Sequence, residues 1–126
     1  MEPFRTIPLD NGLIIELYDQ SNRYFGDYHR IKVDVRCDIP LVKRFFDGDD
    51  GNPELERARK LYGDTIRFER SLEKMGVAGA DVDATRESLV ENFVTSTVAY
   101  LEHPEFVKRY VARMLDSRKP APMYQP

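Results

Sequence analysis

The chain has 126 residues, 41% of them apolar and 33% charged, which is enough for one soluble domain with a real core. No apolar run approaches the ~20 residues that cross a bilayer, and "MEPFRTIPLDNG" lacks the basic start and apolar stretch of a secretory signal. Net charge is −3, with thirteen acids against seven bases in residues 47–102 and two acids against five bases in 103–126. An acidic middle makes duplex nucleic acid an unlikely ligand, since duplex binding needs a dominant basic face.

The first forty residues read as sheet. "FRTIPL" (4–9) is a short strand, placed at an edge because Pro8 cannot donate to a ladder. Asn11-Gly12 signals a tight hairpin in which both central residues take positive φ. "LIIELYDQ" (13–20) follows, with Leu13, Ile15 and Leu17 on one face. In "YHRIKVDVRCDIP" (28–40) apolar and charged residues alternate strictly. One face of that strand is therefore buried and the other solvated, as in an antiparallel sheet covered on one side.

"DGDDGNPELE" (47–56) breaks the pattern. Pro53 suits the first turn of a helix capped by Asn52, with Leu55, Ala58, Leu61 and Tyr62 as its buried stripe. Residues 65–75 fit a strand through Ile66, Phe68 and Leu72, with a polar Arg70 in the row, and a helix through Ile66, Leu72 and Met75; Thr65, Ile66 and Phe68 have strand preference. The punctuation at Gly63-Asp64 favours the strand. Asp83 or Thr85 caps the next helix, whose stripe is Leu89, Val90, Phe93, Val94, Val98 and Leu101. Pro104 opens a last helix striped by Phe106, Val107, Tyr110, Val111, Met114 and Leu115. The expected architecture is α+β: a small antiparallel sheet of three to four strands with C-terminal helices packed on one face. Residues 1–116 form a single domain in this reading, and 117–126 a disordered tail.

"SNRYFGDYHR" (21–30) concentrates rings and bases. It reads first as the connection between the second and third strands, turning at Gly26-Asp27. Its functional reading is a ligand or partner surface formed by Arg23, Tyr24, Phe25, Tyr28, His29 and Arg30 through stacking and cation–π contact. In the overlapping "DQSNRYFG" (19–26), Asp19 and Ser21 resemble part of the Asp/Asn-x-Ser-x-x-Gly element of PilZ domains, which bind cyclic di-GMP. Tyr24 stands at the glycine, however, and the arginine pair of that family is missing upstream, so the likeness is not adopted.

The acidic loop at Asp47–Glu56 fails the EF-hand spacing. One cysteine and two histidines give no zinc-ligand pattern. Cys37 is the sole cysteine, so no internal disulfide forms, and a lone thiol points to a reducing, cytoplasmic setting. Roughly 26 Å of regular strand separates it from His29, which excludes a nucleophilic pair. Lys108, Arg109 and Arg113 give the last helix an ordinary polar side. No cofactor site, metal site or catalytic set assembles. The expected function is a non-catalytic module that binds a protein partner or a second copy. The alternative is a small-molecule or nucleotide-binding protein, or an enzyme, with a pocket at residues 21–30.

Overall fold

A computed structural model describes residues 2–48 and 51–118. The expected tail therefore lies outside the described residues from 119 onward. The fold is α+β, with a five-stranded antiparallel sheet and three helices, two of them C-terminal. The strands are β1 (Arg5–Pro8), β2 (Ile14–Asp19), β3 (Asn22–Phe25), β4 (Tyr28–Pro40) and β5 (Thr65–Ala78). The helices are α1 (Pro53–Tyr62), α2 (Val82–Leu101) and α3 (Phe106–Arg118). The chain divides into two compact units: one takes the residues up to Asp38 together with Arg67–His103, the other Ile39–Ile66 with the residues after His103.

In the first unit β1, β2 and β4 lie side by side in antiparallel register. The alternation in β4 sorts as its chemistry requires. Ile31, Val33, Val35 and Cys37 are buried, while Arg30, Lys32, Asp34 and Arg36 keep partial exposure. Leu13, Ile15 and Leu17 complete the buried row on the neighbouring strand.

The fifth strand corrects the expected count. Asn22–Phe25 is not a simple connection but a strand paired with the start of β4. Asp19 faces Val33 and Asn22 faces Arg30, three residues further along both chains, so β2 and β3 continue one hairpin in one register. The break at Gln20-Ser21 is small. Gln20 N–H donates to the Lys32 carbonyl at 2.8 Å, and Ser21 Oγ accepts from Lys32 N–H at 3.0 Å. A side-chain hydroxyl thus stands in for one rung of the ladder.

The first turn also differs from expectation. Gly12 has φ +89°, but Asn11 is not among the positive-φ residues. Leu9 N–H donates to the Leu13 carbonyl at 2.8 Å and Gly12 N–H to the Leu9 carbonyl at 3.0 Å, closing a three-residue loop with Gly12 as its bulge. Asn11 instead reaches α2, where its Nδ2 donates to the Leu101 carbonyl at 2.8 Å and satisfies the C-terminal end of that helix.

Helix α2 is joined to this sheet and its first turn by Arg5–Glu91, Asn11–Leu101 and Arg70–Thr97. Val90, Phe93 and Leu101 are buried as expected, but Leu89, Val94 and Val98 are only half-buried. Thr97 joins the buried face, where its hydroxyl receives Arg70 Nη1 at 3.3 Å. The buried side of the helix is thereby turned away from the purely apolar stripe. The helix also starts earlier than Asp83 or Thr85, at Val82, and Asp83 binds Arg86 at 2.7 Å within the first turn.

The strand favoured for 65–75 is present and runs to Ala78. Its outward residues tie to β4 through Arg67–Asp38 at 2.7 Å, Ser71–Asp34 at 3.3 Å and Glu73–Arg30 at 2.9 Å. Exposed pairs of this kind each contribute about 0.2–1 kcal/mol. They set register more than stability.

In the second unit Asn52 Oδ1 caps α1, accepting from Glu54 N–H at 2.9 Å and Leu55 N–H at 3.1 Å, with Pro53 in the first turn. Gly63, at φ +87°, ends the helix. Leu55 and Ala58 are buried, but Leu61 is exposed, which removes it from the expected stripe. Helix α3 packs on α1, burying Phe106, Val107, Val111 and Leu115, and Tyr62 Oη donates to the Met114 carbonyl at 3.3 Å.

Candidate functional site

The hairpin formed by β3 and β4 carries the candidate residues to one end of the sheet. Gly26-Asp27 makes the turn, with Gly26 at φ +54°. Phe25 faces Tyr28 across the strands, and Arg23 faces His29. The register slips between Arg23 and Phe25, so the apex is bulged. Such a bulge re-aims side chains relative to the regular alternation.

The rings are presented to solvent rather than packed over the core end. Phe25 is 72% exposed, Tyr28 52% and Tyr24 47%. Met75 of β5, 52% exposed, lies two residues beyond Glu73 toward the same end of the sheet. Next to Met75, Gly76 takes φ +70°, and a Cβ built there would lie 3.9 Å from Tyr24 Oη. β3, β4 and β5 thus each bring exposed apolar side chains to this end of the sheet.

A latch holds the apex. Gly79 N–H donates to both the carbonyl and Oδ2 of Asp27, each at 3.1 Å. A Cβ at residue 79 would meet Asp27 Oδ1 at 2.5 Å, so a side chain there would push the Asp27 carboxylate out of the latch. The rings are thus carried on a braced turn. The latch is not legible in the sequence, because Asp27 and Gly79 are 52 residues apart and each alone reads as turn chemistry.

The six candidates divide by environment. Arg23, Tyr24, Phe25 and Tyr28 are exposed, whereas His29 and Arg30 are half-buried. Arg30 belongs to a cross-strand pair, which holds the Glu73 carboxyl below its ordinary range through their hydrogen bond. That pairing makes Arg30 a brace of the sheet. Met75 joins the patch without having been a candidate from the sequence; its signal there is a large apolar side chain on the solvent-facing row of β5.

Beyond the patch the solvent face of the sheet is ionic and internally paired. Lys32 and Arg36 both approach Asp34 at 3.7 Å, and the Arg36 guanidinium sits 4.5 Å over the Tyr18 ring. Burial and the neighbouring Glu16 push the Tyr18 phenol up. This face binds itself in a lattice of opposite charges.

Other chemical candidates are spread out. Cys37 is buried and its thiol is pushed up to about 11, mainly by burial, which suppresses the thiolate a nucleophile needs. Asp47 holds Lys108 Nζ at 2.6 Å, while Asp49 and Asp50 lie outside the described residues. Among the described residues no three His, Cys, Asp or Glu side chains group as metal ligands, and no helix is long and apolar enough to cross a membrane.

Fold and site together define an α+β protein with a braced, aromatic-tipped hairpin. No family model, curated protein or solved structure matches the chain.

Proposed function

We propose that this protein is a non-catalytic interaction module that engages a protein partner through the hairpin apex. The observation that carries the reading is the exposure of Tyr24, Phe25 and Tyr28 at a turn held by the Asp27–Gly79 latch, with Met75 exposed at the same end of the sheet. Tyr, Phe, Met and Arg are the residue types enriched at the centres of protein interfaces. A braced apex also loses little conformational entropy on docking. Nucleic acid is disfavoured by the rest of the unit. Residues 1–38 and 67–103 hold fourteen acids against nine bases, and a single strand needs a positive groove along its path as well as rings.

The test places a photoactivatable benzoylphenylalanine at residue 25, at 28, and at the exposed Leu61 of the second unit as a control. The expected outcome is discrete protein adducts from 25 and 28 that the control does not give. Identical adduct patterns at all three positions would overturn the reading. In parallel, Phe25→Ala should shift unfolding free energy by no more than about 0.5 kcal/mol, as for an ordinary surface position.

A further inference from the structure

We infer that Asn11 is a modification site, a deamidation point that the native fold holds back and whose product loosens the junction between the β1–β2 turn and the end of α2. Asn11-Gly12 is the chain's only Asn-Gly pair; Asn22, Asn52 and Asn92 are followed by Arg23, Pro53 and Phe93. Glycine leaves its amide nitrogen unshielded and its backbone free to turn, so attack on the neighbouring side chain is easiest there. In that step the Gly12 nitrogen gives its proton to a solvent base and bonds to Asn11 Cγ. The Cγ–Nδ2 bond breaks, and Nδ2 takes up a proton and leaves as ammonia. Water then opens the cyclic imide at either carbonyl carbon, giving aspartate or isoaspartate. Water is the only co-reactant.

The fold engages each atom that this step must free. Gly12 N–H donates to the Leu9 carbonyl at 3.0 Å, which occupies the attacking nitrogen. Asn11 Nδ2, the leaving group, donates to the Leu101 carbonyl at 2.8 Å, and Asn11 Oδ1 accepts from Leu13 N–H at 3.2 Å. Reaction therefore waits on local opening of the turn and its release from α2.

The product inverts the contact. An aspartate side chain has no donor to offer the Leu101 carbonyl, so that helix end loses its partner. The new charge stands at the C-terminal end of α2, where the helix dipole is already negative. Glu102 adds a like charge, since its Oε1 accepts from the N–H of the adjacent Asp10 at 3.4 Å. A lost bond and a gained repulsion act in the same direction. Hydrolysis is one-way, so a chain that has reacted refolds with a weaker junction and opens more often. The site lies at the opposite end of the β2–β3 line from the aromatic apex and does not depend on the docking reading.

Peptide mapping of the full chain tests this, with native protein and protein in denaturing urea held side by side in mildly alkaline buffer. The expected result is conversion at residue 11, and not at 22, 52 or 92, in the unfolded chain, and conversion at least about tenfold slower in the native one. No conversion at 11 in urea, or equal rates in the two samples, would overturn the inference. Asn11→Asp, made directly, should lower the folding equilibrium constant at least about tenfold and lower it more than Asn11→Ala does. The gap between those two variants should narrow at high salt, and amide exchange across residues 98–101 should quicken in Asn11→Asp. An Asn11→Asp chain as stable as the wild type would sink the loosened junction. Should that variant fail to fold, wild-type protein aged to partial conversion gives the same comparison. Its converted fraction should unfold at lower urea than the rest, and coincident midpoints would count against the inference.

Discussion

Gly79 shows how much a single missing methyl group decides. Its N–H reaches two oxygens of Asp27, and a Cβ there would displace the carboxylate from that position. Gly79→Ala should cost about 1 kcal/mol, the value of one charge-assisted surface bond, and speed amide exchange across residues 26–28. Adding Asp27→Ala to that variant should then cost little more, because the bond is already lost; a double-mutant cycle measures this. Cys37 makes a different prediction. Its unfolded thiol ionises near its ordinary value of 9 and the folded one near 11. Burial of the protonated thiol therefore contributes fully below pH 9, and the contribution falls away as pH climbs through 11. The melting temperature should drop across that interval more steeply for the wild type than for Cys37→Ala. A thiol reagent at pH 8 should label the native chain only as fast as it opens.

Elements differ in what sets them. Strand β4 is specified by its own alternation, because a shift of one residue would expose Val33 and Val35 and bury Lys32 and Asp34. Leu17, fully buried across from Val35, is part of the same row. Leu17→Ala should destabilise by about 2–5 kcal/mol in urea unfolding, in line with other buried aliphatic truncations. Helix α1 is defined at its start by Asn52, whose side chain takes two orphan N–H groups. Asn52→Ala should cost about 1 kcal/mol, and Asn52→Asp much less. Helix α2 is less legible. Apolar residues alone draw its stripe, but Arg70 on β5 supplies a hydrogen bond that gives Thr97 a place inside. The partner lies 27 residues away, and a periodicity argument weighs only one element at a time.

At the scale of the whole molecule, the division of charge between surfaces matters more than the net value. The solvent face of the sheet pairs its own charges through Arg67–Asp38, Arg30–Glu73 and the contacts around Asp34. A duplex oligonucleotide should consequently give no saturable anisotropy change at about 0.15 M salt, where weak phosphate attraction is screened. Saturable binding under those conditions would mean that the balance of paired charges does not govern what this surface accepts.

The alternation of residues 28–40, the Asn52-Pro53 start and the stripe of residues 106–115 determined by themselves the α+β class, the buried row of the sheet and most of the helices. Each is a local pattern whose period or cap fixes which side meets water. Tertiary structure alone decided that Asn22–Phe25 is a strand, that Thr97 is buried, and that Tyr24, Phe25 and Tyr28 stand exposed at the hairpin apex. Those outcomes depend on partners distant along the chain (Lys32 for Ser21, Arg70 for Thr97, Gly79 for Asp27), and such pairings exist only once separate segments have been brought together.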